Sequence, residues 1–88
     1  MKAIITVVGK DKTGIVAGVS TKIAELGLNI DDISQTVLAE YFTMMDLVSS
    51  DEKQDFTALR NEFEAFGQEL NVKINIQSAA IFDAMYNI

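Results

Sequence analysis

The chain has 88 residues, enough for one domain spanning 1–88, and its thirteen acidic and seven basic side chains give a net charge of −6 at pH 7. It contains no cysteine and no histidine, which excludes disulfides, thiolate catalysis and the usual zinc ligands. The negative charge disfavours nucleic acid, and no apolar run approaches the roughly 18 residues that span a bilayer, so we expect neither a nucleic-acid nor a membrane partner and a cytoplasmic location.

The first predicted elements are a strand and an amphipathic helix. Residues 2–8 (KAIITVV) are rich in β-branched side chains and are bounded by Gly9, a pattern typical of a buried strand. From Thr13 the apolar residues recur with the period of a helix: Ile15, Val16, Val19, Ile23 and Leu26. We expect the Thr13 hydroxyl to cap this helix and Gly27 to end it in the left-handed conformation.

Two strands are predicted next, over residues 29–38 and 41–49, with Ala39 and Glu40 as the turn. Strict alternation puts Ile33 and Val37 on one face of the first of these strands, and Ile30 and Leu38 on the other. Because both faces carry apolar residues, we expect the second face or the edge of the sheet to be covered as well.

The polar segment SSDEKQD precedes a second amphipathic helix, whose apolar residues are Phe56, Leu59, Phe63, Phe66 and Leu70. Alternation over 72–77 indicates a half-buried strand, and Ser78 can cap a short last helix over 79–87. The order predicts an α+β fold, a ferredoxin-like βαββαβ sandwich with a four-stranded antiparallel sheet, both main helices on one face, and a C-terminal helix.

The glycine-bracketed loop between the first strand and helix is the main candidate for a site. Gly9 and Gly14 have the spacing of a phosphate loop, but Ile15 and Val16 stand where that loop needs lysine and a hydroxyl residue. Two interpretations stay open: a plain turn, or a site whose helix amides hold a carboxylate while Asp11 holds an ammonium group. An amino acid carries both of these charged groups, so it is the ligand that such a site would suit.

The motifs DKTGIV, LGLNIDD and FTMMDLV together resemble those of an ACT domain, in particular free-standing bacterial ACT proteins and modules of the glycine-cleavage-repressor type. These motifs lie in the first half of the chain, and the order of strand, helix and strand extends the resemblance to about Gln77, for a domain core of 2–77. The resemblance implies a ferredoxin-like fold that pairs with a second copy and binds an amino acid or related metabolite between subunits. Thr13 departs from the family, which commonly has proline there. The candidate ligand-binding residues it implies are Asp11, Thr13, Gly14, Ile15 and Val16, with Asn29 and Ile30 at the start of the second strand.

Other functions fit the sequence less well. Asp31 and Asp32 are adjacent, so on a regular strand they would face opposite sides and hold no metal ion together. The phenylalanines at helical spacing indicate a core instead of an RNA-stacking platform. The only arginine, Arg60, falls in the second helix and not in the first loop, where an acylphosphatase would need it.

We therefore predict a non-enzymatic regulatory module without a cofactor, which forms a homodimer or higher oligomer and senses an amino acid or related metabolite. The alternative is a structural dimerisation or interaction domain that regulates a partner protein and binds no metabolite.

Overall fold

The computed structural model of the protein describes residues 1–10 and 14–80. The described elements are β1 (Lys2–Gly9), α1 (Ile15–Glu25), β2 (Asn29–Leu38), β3 (Tyr41–Ser49), α2 (Phe56–Leu70) and β4 (Lys73–Ser78). The predicted order of strands and helices is confirmed. The Ser78 hydroxyl accepts a hydrogen bond from the Ala80 N–H (3.2 Å), as expected of a cap. The rest of the predicted C-terminal helix lies outside the described residues.

The four strands form one antiparallel sheet in the order β2-β3-β1-β4. Alternate residues of β1, β3 and β4 point into one core with residues of α1 and α2: Ala3, Ile5, Val7, Phe42, Met44, Val48, Ile74, Ile76, Ile15, Val19, Ile23, Leu59 and Phe63. Both helices therefore pack on one face of the sheet, which we call the core face, and the opposite face carries no helix among the described residues. This is the predicted ferredoxin-like fold.

The two ends of α1 differ in how well the sequence predicted them. At its C-terminus the N–H groups of Gly27 and Leu28 donate to the carbonyls of Ala24 (3.0 Å) and Ile23 (3.1 Å), and Gly27 has φ 76°. This left-handed end confirms the prediction. At the N-terminus the capping position belongs to Gly14, with φ 74° and no side-chain hydrogen bond, and Thr13 lies outside the described residues.

A bulge in β2 corrects the predicted faces of that strand. Ile30 lies opposite Val48, but Asp32 lies opposite Leu47, so one extra residue is inserted at Asp31. The insertion shifts the alternation, and Ile30 joins Ile33 and Val37 on the core face, leaving Leu38 on the other. The prediction that Ile30 and Leu38 share a face was wrong because strict alternation cannot register an inserted residue.

The second helix is held at both ends and tied to the first. The Asp55 carboxylate accepts hydrogen bonds from the N–H groups of Thr57 (3.0 Å) and Ala58 (3.3 Å), and Asn71 ends the helix in the left-handed region. Lys22 on α1 forms an ion pair with Glu62 on α2 (3.0 Å). Across residues 1–10 and 14–80, neither helix has the length and apolar character to cross a bilayer.

Candidate functional site

The start of α1 has the geometry expected of a site in which main-chain N–H groups bind the ligand. Gly14 is exposed, and a Cβ atom built on it would meet nothing within 4 Å. The Gly14 carbonyl accepts a hydrogen bond from the Gly18 N–H (2.9 Å), which is the first hydrogen bond of the helix. The N–H groups of the first turn, before Gly18, therefore have no carbonyl partner within the helix. In this first turn Ile15 is buried and Val16 half-buried, whereas Gly14 and Ala17 are exposed. Asp11 and Thr13 lie outside the described residues.

The other predicted half of the site lies far from this loop within one chain. Gly9 pairs with Phe42, and Asn29 pairs with Ser49, so the two positions are seven residues apart along β3. At roughly 3.3 Å per residue this separation is about 23 Å along the strands. A single chain therefore does not bring Asn29 and Ile30 to Gly14, Ile15 and Val16.

The second strand lies at the edge of the sheet, and its outer edge pairs with no described residue. All its residues are exposed, including the apolar side chains Ile30 (39%), Ile33 (39%) and Val37 (60%) on the core face. Neither helix covers this part of the core face. From the sequence we expected apolar residues that a single chain cannot bury, and these exposed side chains agree with that expectation.

Asp46 is a buried acid that the sequence reasoning missed. It is 1% exposed, and neither of its carboxylate oxygens has a hydrogen-bond partner among the described residues. On β3 it lies between Ile5 of β1 and Ile33 of β2 and points to the core face with Met44 and Val48. Burial raises the pKa of the Asp46 carboxyl from 3.8 to about 6. The apolar residues at 42, 44 and 48 alternate along β3, and this sequence pattern could have predicted that Asp46, at the position between 44 and 48, is buried.

Asp31 and Asp32 do not make a metal site in the described part of the chain, where no group of three candidate ligands occurs. The Asp31 carboxylate accepts a hydrogen bond from the Ser49 hydroxyl (3.0 Å), and that of Asp32 accepts one from the Ile33 N–H (2.9 Å). Because Ser49 and Leu47 both point to the helix-free face, the bulge puts both carboxylates there. The expectation that they face opposite sides was wrong.

Two of the depressions lined by described residues are large enough for a small ligand, and neither contains the described members of the predicted site. A cavity of about 590 Å³ lies where β1 and α2 end, lined by Val8, Gly9, Lys10, Tyr41, Gly67, Gln68, Asn71, Val72 and Lys73. A second, of about 220 Å³, lies between two cross-strand rows of the sheet and is lined by Ile4, Asp32, Ile33, Ser34, Met45, Asp46 and Leu47.

Comparison with known proteins relates the chain to one family. The family model described as "ACT domain" matches residues 2–77. The "UPF0237 protein" of Streptococcus pneumoniae serotype 4 is 91% identical over 88 residues, which cover the whole of both chains. A solved structure, "ACT domain protein from Streptococcus pneumoniae", is also 91% identical and superimposes with a TM-score of 0.91 over 98% of each chain.

More distant structures share the fold as part of longer chains. The ligand-free regulatory subunit of aspartate kinase from Thermus thermophilus is 28% identical, with a TM-score of 0.65, over 86% of this chain and 50% of that one. A candidate glycine cleavage system transcriptional repressor is 25% identical, with a TM-score of 0.76, over 86% of this chain and 44% of that one.

Proposed function

Because the chain belongs to the ACT domain family, whose members are generally regulatory ligand-binding modules, we propose that it is a non-enzymatic regulatory module that binds an amino acid or related metabolite between two copies of itself. A cytoplasmic location, expected from the sequence, is part of this proposal. So is the homodimer, since the ligand site needs residues from both copies.

The observation that supports the proposal is the separation of the two halves of the site. Within one chain, Gly9, which leads into the loop, and Asn29 lie near opposite ends of the sheet, and the outer edge of β2 pairs with no residue of 1–10 or 14–80. If β2 pairs antiparallel with β2 of a second copy, the start of one strand lies beside the end of the other. Leu38, the last residue of β2, pairs with Tyr41 of β3. This is the end of the sheet at which β1 leads into the loop before α1. The partner copy would therefore supply Asn29 and Ile30 to the loop of the first.

The ligand chemistry follows from the start of α1. Free amides and the positive end of the helix dipole favour a carboxylate, and Gly14 lets it approach the main chain. Asp11, carried over from the family resemblance, would take the ammonium group. The apolar side chains of Val16 and of Ile30 from the second copy would then border the remainder of the ligand.

A thermal-stability screen of the full chain against the twenty amino acids tests the proposal. A ligand at about 100 times its dissociation constant adds roughly 2.7 kcal/mol to the free energy of unfolding, which raises the melting temperature of a domain this small by on the order of 10 °C. We expect one amino acid, or a small group of related ones, to give such a rise. No rise with any amino acid or closely related metabolite at millimolar concentration would contradict it.

A second candidate function is a dimerisation or protein-interaction domain with no metabolite. The exposed apolar side chains of Ile30, Ile33 and Val37 favour it, because they give β2 a surface for a partner whether or not a ligand is present. A stable dimer in sedimentation equilibrium together with no response in the amino-acid screen would favour this function over the first.

A further inference from the structure

We propose that the cavity of about 590 Å³ at the end of the sheet is a second binding site, which takes a small molecule with two or more negatively charged groups, as in a phosphorylated or polycarboxylic metabolite. The described residues assigned to the amino-acid site do not line this cavity: Gly14, Ile15, Val16, Asn29 and Ile30. The inference therefore goes beyond the proposed function and does not depend on it.

The cavity lies where four elements meet. Its lining comes from the end of β1, the first residue of β3, the last turn of α2 and the first residue of β4. Its volume is within the range of roughly 300 to 1,000 Å³ that is usual for pockets that hold small molecules. The cavity is therefore large enough for a metabolite.

The charged side chains that line the cavity are both positive. Lys10 and Lys73 contribute two ammonium groups, and the lining residues include no aspartate or glutamate. The chain as a whole has a net charge of −6, so an anion is attracted only where lysines gather without acids between them. A negatively charged ligand is therefore the class that this cavity suits.

The pairing of β1 with β4 sets the spacing of the two lysines. Lys73 lies opposite Val8, and Lys10 follows Val8 by two residues, just beyond the end of β1. Diagonal neighbours of this kind on adjacent strands are roughly 7 to 8 Å apart. Because lysine side chains are long and flexible, both ammonium groups can reach one ligand that carries two negative groups a few ångströms apart.

Neutral side chains supply further donors and an apolar wall. The side-chain amides of Gln68 and Asn71 and the Tyr41 hydroxyl can each donate a hydrogen bond to a phosphate or carboxylate oxygen. Gln68 and Asn71 are exposed, and Tyr41 is 44% exposed, so these donors are accessible. Val8, which is 41% exposed, gives the uncharged part of a ligand a surface to pack on.

The end of α2 acts against an anion, but its effect is smaller than that of the lysines. The carbonyl end of a helix carries roughly half of a negative elementary charge. Two of the last carbonyls of α2 are already paired, since those of Gly67 and Gln68 accept hydrogen bonds from the N–H groups of Val72 (2.8 Å) and Asn71 (3.3 Å). Two full positive charges therefore decide the sign of the field in the cavity.

The floor of the cavity is fixed by close packing at two glycines. A Cβ atom at Gly67 would lie 2.8 Å from the Val72 carbonyl oxygen, and one at Gly9 would lie 2.6 Å from Cγ1 of Val72. A larger residue at either position would push β1 or α2 away from the start of β4. The cavity is therefore formed before a ligand arrives, which reduces the entropy that binding costs.

Titration of the isotope-labelled full-length chain with pyrophosphate, followed by two-dimensional NMR, tests the proposal. The titration is made at about 0.05 M salt, where attraction between charges is only partly screened. We expect saturable shifts of the amide signals of Gln68, Asn71, Val72 and Lys73. No saturable shift of these signals at millimolar pyrophosphate would overturn the proposal.

A pair of double variants shows whether the two lysines bind the anion. Lys10→Gln with Lys73→Gln should lower the affinity for pyrophosphate at least tenfold, because it removes both charge-assisted hydrogen bonds. The matched control, Lys2→Gln with Lys53→Gln, removes two exposed lysines that do not line the cavity and should lower it less than twofold. Equal losses in the two variants would mean that the anion responds to net charge alone, which contradicts a site.

Two further titrations identify the class of ligand. Tighter binding of pyrophosphate than of tricarballylate would indicate a phosphorylated metabolite, and the reverse order would indicate a polycarboxylic one. Glycerol, which is uncharged, should leave the four amide signals in place. Shifts of the same size with glycerol would show that the cavity does not select for negative charge, and would overturn the proposal.

Discussion

At the scale of single residues, Asp46 and Gly14 depart most clearly from what a small regular domain needs for stability. Asp46 is a carboxylate enclosed in the core without a hydrogen-bond donor among the described residues, and Gly14 is a glycine whose left-handed conformation opens the start of α1. A single substitution at Asp46 should change stability, and one at Gly14 should change ligand binding, in a direction that can be predicted.

The first prediction concerns the pH dependence that Asp46 imposes on stability. Its pKa in the folded protein, about 6, is higher than the ordinary value of 3.8 in an unfolded chain, so the fold favours the protonated form. The resulting stabilisation is complete below about pH 4 and is lost as the pH rises through 6. At 1.36 kcal/mol per pKa unit, the loss is at most about 3 kcal/mol.

Asp46→Asn removes the ionisation and keeps the shape. We expect its urea midpoint to equal that of the parent near pH 4 and to exceed it at pH 7. The difference between the two proteins should grow between these values, because only the parent must charge a buried group. A constant difference over the whole range would show that the carboxyl titrates normally.

The second prediction concerns close approach at Gly14. Gly14→Val and Gly27→Val place the same side chain at two exposed glycines with nearly equal φ angles, 74° and 76°, and with no atom within 4 Å of the new Cβ. Both should lose similar stability, on the order of 1 to 2 kcal/mol, from left-handed strain. Only Gly14→Val should abolish the ligand-induced rise in melting temperature, because only its side chain blocks the helix amides.

Lys10→Gln combined with Lys12→Gln separates main-chain binding from charge attraction. If the amides hold the carboxylate, this variant should weaken binding only a few-fold. Normal binding by Gly14→Val, with loss of binding in the lysine variant, would contradict a main-chain site.

At the scale of the elements, β2 is the strand whose outer edge and core-face side chains the other described elements leave uncovered. It lies at the sheet edge, it carries a bulge, and its core-face residues are not covered by α1 or α2. The dimer that the proposed function requires should therefore depend on this strand.

Val37→Lys tests this dependence. Because Val37 is 60% exposed in the single chain, a lysine there should not disturb the fold, but burying its charge in a dimer would be costly. We expect the dissociation constant of the dimer to rise at least tenfold in sedimentation equilibrium. Val8→Lys, the same change at a 41% exposed position of β1 on the helix-free face, is the control and should leave it unchanged. Equal effects of the two variants would place the interface elsewhere.

The elements were predictable from the sequence wherever periodicity and turn chemistry agreed. The bounds predicted for β2 and β3 and the turn at Ala39 and Glu40 match the structure, because polar and strand-forming residues mark both ends. The bulge at Asp31 was not predictable, since no glycine or break in composition marks it. The loop between Gly9 and Gly14 was identified from its residues, and Asn29 and Ile30 were added from a family resemblance. No periodicity could show that Gly9 and Asn29 are about 23 Å apart along the strands.

At the scale of the whole molecule, net charge opposes the assembly that the apolar surface favours. Each chain carries −6, so two copies repel each other, and the described ion pair between Lys22 and Glu62 lies within a chain. The proposed dimer would therefore be stabilised by apolar burial and strand pairing, neither of which is screened by salt.

The prediction that follows is an unusual salt dependence. Raising the ionic strength from about 0.05 to 0.5 M shortens the Debye length to a few ångströms, which screens the repulsion between copies. We expect the dimer dissociation constant to fall several-fold over this range in sedimentation equilibrium. A constant that rises with salt would mean that attractive charge pairs hold the copies together.

The bulged pair Asp31 and Asp32 also bears on how this protein would aggregate. An unpaired edge strand can add further strands without limit, and stacks of identical strands in parallel register place each residue beside its own copy. In such a stack the two carboxylates would form unbroken columns of like charge. In an antiparallel pair centred between Ile33 and Ser34, Asp32 would instead lie beside Gln35, and the pairing would end after two strands. The two aspartates thus permit a closed pair while opposing fibril growth.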